Sequence, residues 1–132
     1  MALRHVYILE AHPADGWIDQ DNIDDGVCLR QPKTLEQRVA AAAVFAAEGT
    51  AGRAEILVDG MDNAAELAYE ARPEKLVVVD GEGVVRFLSG IGPYQYSPRK
   101  LAEFLESQLH AFDLEATLDR GALSAALREA TA

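Results

Sequence analysis

The run Val6-Tyr7-Ile8-Leu9-Glu10-Ala11-His12-Pro13-Ala14-Asp15-Gly16-Trp17 constrains the fold more than any other feature of this chain. An apolar stretch near the start of the sequence breaks at a Glu, a His, an Asp and the only Trp. That form suits an α/β site, where ligands collect at the carboxyl ends of parallel strands. The five residues before the run hold neither Cys nor Ser.

With 132 residues, 49% of them apolar and 26% charged, the chain suits one soluble domain with its own core. A net charge of −10 argues against DNA, RNA or an anionic bilayer as partner, because such binding needs clustered Lys and Arg. No stretch approaches the ~18 apolar residues of a membrane span, and no charged n-region leads into an apolar h-region. The expected location is cytoplasmic. The single cysteine, Cys28, excludes an intramolecular disulfide and any CxxC redox or zinc pair.

Periodicity alternates strands with helices. Residues 5–10 read as a continuous apolar strand, followed over 13–32 by a turn-rich segment carrying Asp15, Asp19, Asp21, Asp24 and Asp25. Loops of that length in compact domains are more often functional than idle. Thr34 with Gln37 forms a capping box, and Leu35, Val39, Ala42, Ala43 and Ala46 mark one face of a helix ending near Gly49. A second strand falls over 53–59. Asn63 and Glu66 open a short helix that must stop before Pro73. Strands over 76–79 and 84–88, joined by Asp80-Gly81-Glu82-Gly83, predict a hairpin. Ser97-Pro98 begins a helix with Leu101, Phe104, Leu105 and Leu109 on one face. Leu114, Leu118, Leu123 and Leu127 suggest a last amphipathic helix interrupted by Gly121.

The order strand, helix, strand, helix, hairpin, helix is that of the C-terminal part of a thioredoxin or peroxiredoxin-like fold. Within that order the sequence resembles the iodothyronine deiodinases and their bacterial relatives. The blocks carrying the resemblance are the opening run from Val6 to Trp17, Thr34-Leu35-Glu36-Gln37-Arg38, Val58-Asp59-Gly60-Met61-Asp62-Asn63, and Ser89-Gly90-Ile91-Gly92-Pro93-Tyr94-Gln95-Tyr96. They cover roughly residues 4–108. The resemblance implies an α/β, thioredoxin-like three-layer sandwich truncated at its N-terminus, a mixed sheet ending in a β-hairpin, and an extra C-terminal helix. Residues 1–110 would form the incomplete domain and 111–132 the helical extension.

In that family a selenocysteine or cysteine, on a strand-turn-helix unit upstream of this strand, removes halogen reductively. The resemblance carries Tyr7, Glu10 and His12 into the hydrogen-bond network beside that reactive residue. Two positions depart from the vertebrate pattern. Pro32 stands where a His precedes the Glu-Asp-Arg block, and Ile91 stands where a Lys or Arg sits in Gly-Gly-x-Gly-Pro. The cation that would grip an acidic iodothyronine is therefore missing. The upstream unit would be the central strand of the sheet, and without it rows of backbone groups need partners, at about 1–3 kcal/mol for each one buried unsatisfied. Direct pairing of the flanking strands, a strand from another chain, or self-association would each meet that need, and a homodimer is the expected answer.

Each candidate residue has a plainer reading beside the chemical one. Glu10 and His12 could act as an acid/base pair, yet a His closing a hydrogen-bond network behind a strand end is the commoner case. Asp15 and Trp17 could shape a pocket or form a local hydrophobic plug. Tyr7, Trp17, Tyr94 and Tyr96 could line a site for a small planar or aromatic ligand, though core packing explains them equally well. Cys28 is a poor substitute nucleophile, since surrounding aspartates would raise a thiol pKa. The aspartates lack EF-hand spacing, so no metal is expected, and no cofactor is implied. For Pro73 the trans form is the default, cis accounting for only ~5% of X-Pro bonds. The expected function is a redox-silent binding or structural module, acting as a homo-oligomer. The alternative is a thiol- or selenol-dependent reductase, or a reductive dehalogenase relative, whose reactive residue comes from elsewhere. If the chain is an enzyme, it is an oxidoreductase of deiodinase type.

Overall fold

A computed structural model describes residues 2–49, 52 and 54–111 of the chain. The elements run β1 (Arg4–Tyr7), α1 (Gln20–Asp24), α2 (Leu35–Ala47), β2 (Glu55–Val58), α3 (Ala64–Tyr69), β3 (Val77–Val79) and β4 (Val85–Leu88). A fourth helix, α4, occupies 98–111. This is a mixed α/β chain with short sheets, compatible with a thioredoxin-like fold. The segment with Leu114, Leu118, Leu123 and Leu127, and hence the proposed C-terminal extension, lies outside the described residues.

The described residues fall into two compact units. One runs through Lys75 and includes Gly90–Tyr96; the other comprises Leu76–Ser89 and the described residues from Ser97 onward.

In the first unit β1 and β2 pair in parallel, Arg4 opposite Glu55 and Tyr7 opposite Val58. An Arg4–Glu55 ion pair of 2.6 Å joins the first rung. Both strands alternate exposed and half-buried positions, so β1 is not the continuously buried strand expected. His5, Tyr7, Ile56 and Val58 are half-buried, while Val6 and Leu57 remain 46% and 41% exposed. β1 also stops at Tyr7, three residues before the expected end, although the Asp59 amide still donates to the Tyr7 carbonyl at 2.9 Å.

Helix α2 packs Phe45 against β1, with ring centroids 5.7 Å from His5 and 6.2 Å from Tyr7. Its start matches the sequence, for the Gln37 amide donates to Thr34 Oγ1 at 3.3 Å. Gln37 Oε1 accepts from the Lys33 amide at 2.8 Å, one residue earlier than a capping box requires. Gly49, at φ +74°, ends the helix in the left-handed conformation that glycine adopts without a Cβ penalty. The buried stripe is Arg38, Ala41 and Ala42, with half-buried Phe45 one turn on. The expected face was a residue out of phase, and Leu35 and Val39 lie exposed. The cause is Arg38, which occupies the inward position that a hydrophobicity pattern assigns to an apolar residue.

Helix α3 begins at the expected place with a different cap. Asn63 is its N-cap residue, yet its side chain makes no capping bond. The Asp59 carboxylate instead accepts from the Ala65 and Glu66 amides, each at 3.0 Å. The Arg72–Pro73 bond is cis, against the default, and so is Gly92–Pro93.

In the second unit β3 and β4 form the expected antiparallel hairpin, with an irregular register at Val78/Val79. Asp80 ties its turn, accepting from the Glu82 and Val84 amides at 2.9 Å and from Arg86 Nε at 2.7 Å. Gly83, at φ +83°, completes it. Ser97 Oγ caps α4 by accepting from the Lys100 amide at 3.3 Å, and Phe104 stacks on Phe87 at 5.3 Å.

Both sheets are two-stranded among the described residues, so every strand is an edge.

Candidate functional site

The segment after β1 is pinned at its first polar residue. The Glu10 amide donates to Gln31 Oε1 at 3.2 Å, and Gln31 Nε2 donates to the Glu10 carbonyl at 3.0 Å. One carboxamide thus replaces a strand neighbour for Glu10. Gln31 is held in turn, its amide donating to Asp15 Oδ1 at 2.8 Å, while the Ala14 amide donates to the Leu29 carbonyl at 2.7 Å. These bonds bring the ends of the acidic loop together, and the loop contains an unexpected short helix, α1. Asp19 caps α1 by accepting from the Asp21 amide at 3.1 Å.

Glu10 points back toward β1, where its carboxylate accepts from the Tyr7 hydroxyl. Burial pushes the Glu10 carboxyl above its ordinary value, and the nearby Arg38 guanidinium offsets that in part. A carboxyl group so placed retains a proton at higher pH than a free Glu and has a phenol hydroxyl as its contact. That pair can donate, accept or relay one proton.

His12 does not join this pair among the described contacts. Its Nδ1 lies 3.2 Å from the Trp17 carbonyl, and its ring meets the indole edge-on at 4.7 Å. A carbonyl only accepts, so Nδ1 carries the proton and Nε2 of the neutral ring is left as an acceptor.

Asp15 is a loop clasp. The Gln31 amide, above all, holds its carboxyl below the ordinary value against the effect of burial, assisted by Arg30 and Lys33. Trp17 is 78% exposed and Tyr94 98% exposed, and among the described residues no ring contact joins either to Tyr96. Cys28 is exposed, and no described contact ties it to Tyr7, Glu10 or His12. Among the described residues no group of three His, Cys, Asp or Glu side chains could hold a metal ion.

Sequence reasoning missed two residues that organise this region, Gln31 and Arg38. Arg38 is fully buried, its Nη1 donating to the Asp59 and Gly60 carbonyls at 3.2 and 2.6 Å and its Nη2 to Asn63 Oδ1 at 2.8 Å. It staples α2 to the β2–α3 turn. Its Nε–H is also buried and finds no acceptor among the described residues.

An α/β strand end with a Tyr–Glu pair and a neighbouring His is the class of site that the fold and geometry define. A family model described as iodothyronine deiodinase matches residues 3–109. The thyroxine 5-deiodinase of Homo sapiens is 39% identical over 108 residues, covering 80% of this chain and 34% of the relative. That of Sparus aurata is 39% identical over 101 residues, covering 76% and 36%. The type II iodothyronine deiodinase of Petromyzon marinus is 36% identical over 105 residues, covering 77% and 34%. The chain belongs to the iodothyronine deiodinase family, and it spans about a third of the length of these curated relatives. Among the described residues no helix is long and apolar enough to cross a membrane.

Proposed function

We propose that this chain supplies the proton-handling half of a deiodinase-type oxidoreductase site, acting on a small organohalide. The observation that carries the reading is Glu10, partly buried, raised in pKa and bonded to the Tyr7 hydroxyl. In the reaction a carbon–halogen bond breaks and a carbon–hydrogen bond forms. The halogen leaves as halide, and two thiols, or a selenol and a thiol, are oxidised to a disulfide or selenenyl sulfide. The Glu10 proton, passed through Tyr7, reaches the carbon as the halogen departs. His12, through Nε2, takes the proton released by the attacking thiol, and the proton of the second thiol returns to Glu10 as the disulfide or selenenyl sulfide forms. The reductant comes from another chain, from further polypeptide or from a small thiol, because Cys28 is exposed and uncoupled from the pair. The relatives are named for thyroxine; Pro32 and Ile91 support a substrate other than an acidic iodothyronine here.

A thiol-dependent halide-release assay tests this, using the purified chain, excess dithiothreitol and an iodinated phenol. The expected result is release above the thiol-only background, reduced at least tenfold by Glu10→Gln and by Tyr7→Phe and unchanged by Cys28→Ser, with circular dichroism intact throughout. Release at background for the unaltered chain, or equal rates in all variants, overturns the reading.

A second reading has its own support. Apart from Pro13 and Pro32, the buried apolar side chains among the described residues are the small ones of Ala41 and Ala42, while Val6, Leu57, Leu67 and Leu88 are exposed. That balance supports a redox-silent module whose apolar surface is covered in a homo-oligomer.

A further inference from the structure

A cleft of about 490 Å³ opens beside α2, a size within the usual range for small-molecule sites. The segment 29–33 forms one wall and α2 the other. The helix wall is Ala40, Ala41 and Val44, residues whose small size leaves the volume open. Leu29 and the buried Pro32 complete an aliphatic lining without any aromatic ring.

The charge of the cleft runs against that of the chain. In a protein of net charge −10, its lining carries two cations, Arg30 and Lys33, against one carboxylate, Asp15. Asp15 is satisfied by the Gln31 amide and by Arg30 at 3.5 Å. No ion pair or hydrogen bond to a described residue engages the Lys33 ammonium. Gln37 also lines the cleft, and its carboxamide oxygen is occupied by the Lys33 amide at 2.8 Å. That bond orients the side chain and leaves its N–H groups as donors. A lysine ammonium with no ion pair or hydrogen bond to a described residue, attracted through space by an Asp15 that Arg30 already pairs, an oriented amide donor and an aliphatic wall fit one kind of occupant, an anion on a short hydrocarbon.

We propose that this cleft binds a small aliphatic carboxylate, with Lys33 and Gln37 holding the carboxylate and Leu29, Ala40 and Val44 receiving the hydrocarbon. Neither Tyr7 nor Glu10 lines the cleft, although Gln31 of its wall holds the Glu10 backbone, so carboxylate binding here is read out separately from the dehalogenation reading.

Titration of the whole chain with hexanoate, hexan-1-ol and hexylamine, followed by amide chemical shifts and calorimetry, decides the matter. The expected result is saturable binding of hexanoate with shifts at 29–44, and at least tenfold weaker binding of the alcohol and the amine. Lys33→Glu should weaken hexanoate tenfold or more. Val44→Trp, at a half-exposed position, should close the cleft and abolish binding with the thermal midpoint retained. Equal binding of hexan-1-ol or hexylamine, or hexanoate binding that survives both substitutions, overturns the proposal. So does the absence of hexanoate binding at about 10 mM, where a ligand of this size held by one ion pair should register.

Discussion

Arg38 shows most clearly what a single residue does here. Three hydrogen bonds to three acceptors around one turn use the planar fork of a guanidinium, which a lysine ammonium cannot reproduce. Arg38→Lys should therefore destabilise the chain by about 2 kcal/mol, measured by urea unfolding. A change within experimental error would mean that the staple contributes nothing. Glu10 makes a pH-dependent prediction of defined sign. Its carboxyl is raised in the folded chain, so the native state binds the proton more tightly than the unfolded state does. Its contribution to stability is full below the unfolded value and is lost as pH rises through the folded one. The melting temperature of Glu10→Gln relative to the unaltered chain should accordingly rise between pH 4 and pH 7; a constant difference would contradict the raised value. The family resemblance grouped Tyr7, Glu10 and His12; Tyr7 and Glu10 do bond to each other, while His12 turns to the Trp17 carbonyl and ring. Arg38 was not legible, since a charged residue within a helical pattern is ordinarily solvated, and only the three-dimensional path of the β2–α3 turn brings carbonyls to it.

At the scale of elements, the stop and start signals were informative. Thr34, Gly49, Ser97 and the Asp80–Gly83 turn each act where the sequence placed them, because caps and tight turns are short-range chemistry. Thr34→Ala should cost about 1 kcal/mol by removing the bond to the Gln37 amide, read by chemical denaturation; no loss would assign the helix start to tertiary packing alone. Asp80 is held below its ordinary value by the Val84 amide first, with Arg86 and the Glu82 amide adding to the effect. A depressed carboxyl stabilises above its unfolded value and stops doing so as pH falls through the folded one. Asp80→Asn should thus be less stable than the unaltered chain at neutral pH, with the difference closing under acid conditions. A gap that persists in acid would assign it to shape rather than charge. Element extents were less legible. β1 ends at Tyr7 because Gln31, 21 residues beyond Glu10, takes over the backbone of Glu10. A contact across that span leaves no periodic trace. The phase of α2 was misread for the same reason that Arg38 was.

For the molecule as a whole, family membership was carried by block order and held over residues 3–109, whereas function was not carried by composition. The net charge and single cysteine bound the possible partners without choosing among them. Val6 and Leu57 in one unit and Leu88 in the other are exposed on two-stranded sheets, whose edges are open to pairing with another chain. Light scattering over a range of concentrations should give the mass of a dimer; a concentration-independent monomer would remove the oligomeric module from consideration. The central claim, however, is that Glu10 holds a proton for Tyr7 to relay, and the titration of its carboxyl carbon by NMR tests that directly. The predicted midpoint lies above the ordinary value for a glutamic acid and changes when Tyr7 is replaced by Phe. A midpoint at or below the ordinary value, unaltered by Tyr7→Phe, would contradict the account.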